Sequence, residues 1–297
     1  MSIFQGSGVA IVTPFDKRDH VNYDMLEQMI NYHIENGTDA IVIVGTTGES
    51  STLSMGEHAE CIRQAVAMAK GRVPVIAGTG SNSTETAIQL SKEADGYGVD
   101  AVLVVTPYYN KATQKGLKVH YTEVAKSVNC PVIIYNVPSR TGCKVNVDTA
   151  ADLINGVSNI VRMKDATGDI TNAADLMFLT NGEAELYSGN DDQVVPILSV
   201  GGIGVISVLA NIAPKQTHDM VRSYLDGDVK TARDIQVKAM PLIHALFSEV
   251  NPIPVKYAMR AMGWDVGGLR PPLTEIEPEH AANLVAQMKA FGVPVKE

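Results

Sequence analysis

The chain alternates short, almost uninterrupted apolar runs with longer stretches whose apolar positions recur at helical spacing. Eight runs stand out, and most of them are rich in valine and isoleucine and nearly continuous in apolarity. Strands buried on both faces of a parallel sheet read in this way, because helices cover both sides of such a sheet. The runs cover residues 8–15, 40–45, 74–80, 101–109, 131–138, 160–167, 185–190 and 204–209. The pattern therefore predicts eight parallel strands.

The stretches between the runs predict helices. Residues 23–36 carry apolar side chains at helical spacing and end before Gly37, a good C-terminal cap. Residues 83–97 open with Ser83 or Thr84 as the N-cap. Eight strand–helix units in about 225 residues match a (β/α)8 TIM barrel. A doubly wound sheet is the alternative fold, but the glycine fingerprint that it often carries after its first strand is absent.

The pattern changes after Gly227. No strand-like run follows, and residues 229–250 and 277–291 predict helices joined through the prolines of segment 251–254 and through Pro271-Pro272. We therefore expect two domains, a barrel over residues 1–226 that carries the active site and a small all-helical domain over residues 227–297.

Composition and charge narrow the class of protein. The 24 basic and 33 acidic residues give a net charge of −9, which argues against nucleic acid as a partner. Three widely spaced cysteines form no disulfide framework and no zinc motif, as expected in a reducing cytosol. The first residues lack the features of a secretory signal. Residues 194–214 are uncharged, but their glycines and prolines disfavour a membrane span. We therefore expect a cytoplasmic protein with no membrane contact.

The run 160–167 contains two basic side chains where a buried strand should be apolar. Side chains alternate along a strand, so Arg162 and Lys164 share one face and should point into the barrel. A lysine at a strand end can simply reach solvent. Alternatively, crowding and the neighbouring guanidinium disfavour the ammonium form, and the free amine can form a Schiff base with a ketone.

Three further strand ends carry polar side chains. Tyr135 should point inward near Lys164, either as satisfied structure or as a proton relay. Arg140 in the next loop is either solvated or able to clamp a carboxylate. Residues 45–50, G-T-T-G-E-S, form either a tight capped turn or an anion cradle. The acids of segment 188–192 fit helix capping better than metal binding, since no second carboxylate cluster appears.

Five motifs at these strand ends converge on a known family. They are G-T-T-G-E-S (45–50), T-P-Y-Y-N (106–110), Y-N-V-P-S-R-T-G (135–142), K-D-A-T-G-D (164–169) and G-V-I-S-V (204–208). Together they resemble the 4-hydroxy-tetrahydrodipicolinate synthase (dihydrodipicolinate synthase) family, within the class I pyruvate-dependent aldolases that include N-acetylneuraminate lyase. The resemblance spans essentially the whole chain, including N-P-I-P-V-K (251–256). It implies a (β/α)8 barrel with a C-terminal helical domain.

The resemblance also implies an activity, the condensation of pyruvate with L-aspartate 4-semialdehyde at the entry to the diaminopimelate route to lysine. Lys164 would form the pyruvate Schiff base. Tyr135, Thr46 and Tyr109 would form a proton relay, with Tyr109 contributed across a dimer interface. No metal or organic cofactor is implied, and the family is usually a homotetramer built as a dimer of dimers.

The resemblance also implies four substrate-binding residues. Thr47 would hold the pyruvate carboxylate, with help from Gly189 and Ile206. Arg140 would orient the carboxylate of the semialdehyde. Thr46-Thr47 and Arg140 together favour the synthase over the sialate-lyase branch, which usually has Ser-Thr in the first motif and lacks the arginine.

Two departures from the family pattern lead to hypotheses. Arg162 stands where a small residue is expected, and its charge would lower the pKa of Lys164. Lysine-inhibited members carry an allosteric site whose counterparts here are Ser50, His58, Asn82 and Tyr108. Met55 and Thr86 replace a polar residue and a glutamate of that site. The missing glutamate removes a partner for the α-ammonium of L-lysine, so we expect weak or absent feedback inhibition.

Two other functions compete with this one. Another pyruvate-dependent aldolase would act on a sugar acid or a hydroxyproline-derived substrate, and product analysis with each aldehyde would distinguish it. A non-catalytic paralogue would bind pyruvate-like ligands or serve as a structural oligomer. Loss of Lys164 or Tyr135 would indicate such a paralogue, and both residues are present.

Overall fold

Eight parallel strands close into a barrel in the computed structural model, which describes residues 2–296. They are β1 Gly6–Ala10, β2 Ala40–Ile43, β3 Val75–Gly78, β4 Ala101–Val105, β5 Val132–Asn136, β6 Arg162–Asp165, β7 Glu185–Ser188 and β8 Gly204–Ser207. Each strand pairs with the next, and β8 returns to β1 with Gly204 opposite Gly6. The predicted (β/α)8 barrel is confirmed, and the doubly wound alternative is wrong.

Helices follow the strands and continue beyond the barrel. They are α1 Tyr23–Glu35, α2 Met55–Ala69, α3 Thr84–Gly96, α4 Gln114–Lys126, α5 Pro138–Thr141, α6 Val147–Gly156, α7 Ile170–Leu179, α8 Val194–Ser199, α9 Pro214–Leu225, α10 Val229–Leu246, α11 Ile253–Ala261 and α12 Pro278–Phe291. Capping side chains fix the first residue of several helices. The Ser83 hydroxyl accepts from the Thr86 amide, as predicted for α3.

The strands are shorter than the apolar runs that predicted them, and the first run differs most. Its second half, residues 11–15, leaves the barrel sheet after β1. Phe15 is buried there because it packs under the C-terminal part of the chain, where its amide donates to the Val266 carbonyl at 3.0 Å. Burial alone made this half apolar, so hydrophobicity could not distinguish it from a strand.

The C-terminal part differs from the prediction in one element. Segment 251–254 was predicted to be a connection, but α11 begins within it at Ile253. Pro254 fits the first turn of this helix, where a backbone N–H has no partner within the helix and its loss costs nothing. The helix α10 ends at Leu246, earlier than the predicted residue 250. The division into domains at residues 226 and 227 stays a prediction.

The amino end of the barrel interior is filled. The Phe4 ring stacks on the Tyr187 ring with centroids 4.5 Å apart, and the Tyr187 hydroxyl donates to the Phe4 carbonyl at 2.9 Å. Above them, Ile76, Leu103 and Ile133 continue the inner apolar layer. A second apolar layer joins the outer strand faces to the helices. Open space inside the barrel is therefore left at the carboxyl ends of the strands. Within residues 2–296, no helix is long and apolar enough to cross a membrane.

Candidate active site

Lys164 lies inside the barrel near the carboxyl end of β6. It is only 6% exposed, and the register places it between Tyr135 of β5 and Tyr187 of β7. Its Nζ lies 4.2 Å from the centroid of the Tyr135 ring. Across residues 2–296, no carboxylate forms a salt bridge with it. The predicted inward orientation of the Arg162 face is confirmed, since Met163 packs in the outer layer.

A cavity of about 170 Å³ opens above Lys164. Its polar lining comes from four strand ends and from the C-terminal part of the chain. The polar residues are Thr46, Thr47, Tyr135, Ser139, Arg140, Lys164, Asn190 and Asn251. The apolar lining includes Leu103, Val208 and Phe247. An amine, a phenol, two threonine hydroxyls and a guanidinium therefore meet around one small enclosed space.

The loop of residues 45–50 places two threonines in this cavity. It is a tight turn, in which the Glu49 amide donates to the Thr46 carbonyl at 3.1 Å. The alternative of a capping role for its hydroxyls is wrong for α2, because Ser54 caps that helix together with Glu57. The Thr46 and Thr47 side chains therefore line the cavity instead of capping α2.

Arg140 lies on the short helix α5 that follows β5. The helix is tied down by Thr141, whose hydroxyl accepts from the Thr106 hydroxyl at 2.9 Å. Arg140 itself is exposed and lines the mouth of the cavity. A cation at the mouth of a cavity that holds a nucleophilic amine is well placed to orient an anionic substrate.

The end of β7 contributes backbone and a buried carboxylate. Gly189 lines the cavity, where a Cβ atom would lie 2.7 Å from the Cβ of Ala166. Asp191 is fully buried and accepts from the Ser207 hydroxyl at 2.5 Å and from the Val208 and Leu209 amides at 3.0 and 2.9 Å. Burial raises the pKa of Asp191, while these donors and the Lys164 charge oppose the rise. The predicted capping of the helix that follows β7 is wrong, because neither short helix there has a side-chain cap and Asp191 instead accepts from amides at the turn after β8.

Ile206 lies in β8 and is buried in the inner apolar layer. Val208, two residues later, is the side chain from this strand end that lines the cavity. Ile206 therefore supports the floor of the cavity, and any contact of this residue with a ligand would run through its backbone.

Tyr109 does not enter the cavity of its own chain. Its side chain is 88% exposed, and its backbone is left-handed with φ of 74°. An exposed aromatic side chain held on a strained backbone marks a functional or interface position. The prediction that Tyr109 acts across an interface is compatible with this geometry and stays a prediction.

A second cavity of about 440 Å³ adjoins the first, since Thr46, Tyr135 and Arg140 line both. Of the four residues carried over as an allosteric set, three line this cavity: Ser50, His58 and Tyr108. Met55 and Thr86 also line it.

Two members of that set have other partners in the chain. The His58 Nε2 lies 2.8 Å from the Gly78 carbonyl, and burial lowers the pKa of its imidazole. Asn82 is not part of the lining, and its carbonyl accepts from the Asn110 amide group at 2.9 Å. The predicted set is therefore only partly assembled within a single chain.

Arg162 has an acidic neighbour that the hypothesis from the sequence did not include. Its Nε lies 2.5 Å from Glu185 Oε2, and Glu185 is the residue opposite Arg162 in the barrel register. The carboxylate neutralises the guanidinium, so the like-charge pressure on Lys164 loses its physical basis.

Sequence reasoning missed Asn251 and Phe247, which both line the cavity from the C-terminal part. The Asn251 Nδ2 donates to the Thr47 hydroxyl at 3.0 Å, while its buried Oδ1 has no hydrogen-bond partner within residues 2–296. An unpaired buried amide oxygen beside a cavity suits a ligand donor. The N-P-I-P-V-K motif was the available signal, but its asparagine was assigned to a connection.

Within residues 2–296, no three or more His, Cys, Asp or Glu side chains lie together in a way suited to a metal ion. The acids after β7 do not form such a group.

Comparison with known proteins adds independent findings. A family model described as the dihydrodipicolinate synthetase family matches residues 3–291. A 4-hydroxy-tetrahydrodipicolinate synthase of Lachnoclostridium phytofermentans is 59% identical over 293 residues, which are 99% of this chain and 100% of that protein.

Two solved structures are also close. The chloride-inhibited dihydrodipicolinate synthase of Acinetobacter baumannii, solved with pyruvate, is 46% identical with a TM-score of 0.95 and covers 98% of this chain and 99% of its own. The enzyme of Cyanidioschyzon merolae, solved with lysine bound, is 38% identical with a TM-score of 0.96 and covers 99% of this chain and 100% of its own.

Proposed function

This chain belongs to the dihydrodipicolinate synthetase family, and from that premise we propose that it condenses pyruvate with L-aspartate 4-semialdehyde to give 4-hydroxy-tetrahydrodipicolinate. It is a lyase of the class I aldolase type that serves diaminopimelate and lysine biosynthesis. The observation that carries the mechanism is Lys164, an enclosed amine against the Tyr135 ring with no carboxylate salt bridge within residues 2–296.

The reaction begins with the Lys164 amine. Its lone pair adds to the keto carbon of pyruvate, and loss of water gives an iminium ion. The positive nitrogen withdraws electrons, so a methyl proton of pyruvate can leave and an enamine forms. The enamine carbon then bonds to the aldehyde carbon of the second substrate, whose oxygen takes up a proton. The amino group of that substrate displaces the lysine, which closes the ring and frees Lys164.

Tyr135 and Thr46 move the protons in these steps. Both line the cavity around Lys164, and the Tyr135 ring lies against the amine. A relay of hydroxyl groups inside an enclosed cavity transfers protons without bulk water. Tyr109 of the partner subunit completes this relay. Its exposure and strained backbone in the single chain support this assignment.

Two sets of groups hold the substrate carboxylates. Thr47 binds the pyruvate carboxylate together with the backbone at Gly189 and Ile206. Arg140 binds the carboxylate of the semialdehyde at the mouth of the cavity. Fixing both carboxylates brings the enamine and the aldehyde together, which can supply a large share of the rate enhancement.

The test is borohydride trapping with pyruvate. Borohydride donates a hydride to the C=N bond, which fixes pyruvate on Lys164 as a stable secondary amine that peptide mapping detects. We expect labelling at Lys164 in the wild type and in a Lys144→Ala control, whose exposed lysine neighbours Asp169. Lys164→Ala should take up no label. Absence of a Lys164 adduct in the wild type would reject the Schiff-base mechanism.

A panel of aldehydes distinguishes the synthase from other pyruvate aldolases. We expect turnover with L-aspartate 4-semialdehyde to exceed turnover with neutral sugar aldehydes by on the order of 10²-fold, because Arg140 can pair only with a substrate carboxylate. Arg140→Ala should remove most of this preference. Equal rates with a sugar aldehyde would favour the alternative substrate class.

The assembly we propose is a homotetramer, a dimer of dimers in which Tyr109 crosses the tight interface. Sedimentation of the wild type should show tetramers. Tyr109→Phe should keep the assembly but lower turnover by at least about tenfold, because only the hydroxyl is lost. An active monomer would contradict the shared site.

We propose that L-lysine inhibits this enzyme weakly or not at all. Thr86 and Met55 line the second cavity without adding a charge, so the ammonium of lysine finds no carboxylate from these positions. Thr86→Glu should strengthen inhibition at least about tenfold by supplying that partner. Inhibition of the wild type at or below low-millimolar lysine would contradict the proposal.

A further inference from the structure

Both ends of the loop at residues 45–50 are held in left-handed backbone geometry by residues other than glycine. Val44 has φ of 47° and Glu49 has φ of 52°. Such geometry is unfavourable for side chains with a Cβ atom, and a β-branched residue is a clear outlier. It persists only where surrounding contacts hold it. Thr46 and Thr47 lie between the two strained residues.

The Glu49 end is held by a completely buried ion pair. Glu49 Oε1 accepts from Lys256 Nζ at 2.8 Å, and both side chains are fully inaccessible. Glu49 Oε2 accepts from the Arg270 amide at 3.1 Å. Lys256 Nζ also donates to the Gly268 carbonyl at 2.5 Å and lies 4.2 Å from the centroid of the Phe15 ring. Burial lowers the pKa of Lys256, and the Glu49 charge opposes that effect.

The same part of the chain contacts the loop a second time. Asn251 precedes α11, and its amide group donates to the Thr47 hydroxyl at 3.0 Å. Lys256 lies on α11 itself. The loop is therefore held at Thr47 and at Glu49, and Thr46, directly before the first of these contacts, lines the cavity.

A buried ion pair is a poor source of net stability. The cost of removing two charges from water often exceeds what their attraction returns, and apolar pairs of similar volume can be equally stable. What such a pair supplies is a fixed geometry. Its position beneath a strained substrate-binding loop indicates where that geometry is used.

We propose that Glu49 and Lys256 are positioning residues, through which helix α11 holds the loop at residues 45–50 so that Thr46 and Thr47 face bound pyruvate. This inference deepens the proposed function and rests on it. Neither residue touches substrate. They act through the loop backbone, so their loss should weaken pyruvate binding and slow Schiff-base formation while the barrel remains folded.

The test uses the full chain and the double variant Glu49→Met/Lys256→Met, which replaces the ion pair with apolar side chains of similar length. We expect a denaturation midpoint close to that of the wild type. The pyruvate concentration that gives half-maximal borohydride trapping should rise at least tenfold, and kcat should fall less than kcat/KM. The matched control is Lys230→Met, which breaks an exposed ion pair with Asp234 on α10 and should leave trapping unchanged.

Two outcomes would overturn the proposal. The first is a folded double variant that traps pyruvate with wild-type concentration dependence. The second is a failure of every pair variant to fold, which would make the pair a determinant of stability alone. If only the double variant fails, Glu49→Gln decides the matter. It keeps the side-chain shape and should raise the half-maximal concentration at least threefold, and an unchanged value rejects the proposal. Absence of trapping in the wild type would instead reject the proposed function.

Discussion

Arg162 and Lys164 lie two residues apart on one face of β6, but their side chains have different neighbours at the two ends of the barrel interior. At the amino end, the Arg162 guanidinium lies beside the Glu185 carboxylate. At the carboxyl end, Lys164 faces an aromatic ring and a cavity. The amino end satisfies its charge and serves the fold, whereas the carboxyl end leaves an amine available for reaction.

The largest effect should come from removing the amine. Lys164→Met should lower turnover on the order of 10³-fold or more, because no other group can form the imine. The denaturation midpoint should stay the same or rise, since a buried cation is replaced by an apolar chain. Steady-state kinetics and chemical denaturation check both. A large fall in stability would mean that the carboxyl end also supports the fold.

The next effect concerns the phenol beside that amine. Tyr135→Phe keeps the ring against Lys164 but removes the hydroxyl, so turnover should fall about 10²-fold while the fold is retained. The chain offers a matched control in Tyr121→Phe, a buried tyrosine on α4 whose hydroxyl donates to the Val104 carbonyl. That control should alter stability more than turnover. Equal kinetic effects from the two changes would contradict the relay.

A change at the amino end should lower stability and leave the pH dependence of turnover unchanged. Glu185→Gln leaves Arg162 buried without the Glu185 charge and should lower the free energy of unfolding by about 2–3 kcal/mol, less than the roughly 3–5 kcal/mol for a fully buried pair because Glu185 is partly exposed. The pH dependence of kcat should not move, because the site at Lys164 is unchanged. The double variant Arg162→Met/Glu185→Met should recover most of the stability. A shifted pH–rate profile in either variant would restore the hypothesis that Arg162 tunes Lys164.

The smallest effect concerns the helices around the strands, where a buried imidazole has no hydrogen-bond partner within residues 2–296. His33 on α1 is fully buried beside the Tyr32 ring, and burial lowers its pKa from 6.5 to about 3. Below pH 6.5 the unfolded chain therefore binds a proton at His33, whereas the folded chain does not bind it until the pH falls to about 3. Stability should fall by about 2 kcal/mol between pH 7 and pH 5 through this residue.

Denaturation of His33→Leu at both pH values isolates the effect. Between pH 7 and pH 5, the free energy of unfolding should fall less in the variant than in the wild type. The difference between the two gives the contribution of the imidazole. An identical pH dependence in both proteins would show that the imidazole of His33 takes up a proton equally well in the folded and in the unfolded chain.

The sequence predicted much of this architecture because strands and helices in a parallel barrel leave periodic apolar signals. Strand ends could be read in the same way, and Lys164, Tyr135, Thr46 and Arg140 do meet around one cavity. Tyr109 lies outside the cavity of its own chain, and only the family resemblance suggested that it acts from elsewhere.

The failures share a physical origin, since they concern contacts between residues distant in sequence. Glu185 lies 23 positions after Arg162, and only the barrel register brings the two together. Asn251 reaches Thr47 across 204 positions. Segment 11–15 looked like a strand because burial under the C-terminal part requires the same side chains as burial in a sheet. Local patterns carry no record of such partners.

The wall formed by Phe247 and Asn251 has a consequence for how the protein is made. A ribosome releases the amino-terminal residues first, and β1 must wait for β8 before the barrel can close. Even then the nascent chain lacks the side chains that complete the cavity, because they emerge about forty residues later. Because Phe247 and Asn251 follow the last strand in the sequence, a competent site has to wait until these residues have also been made.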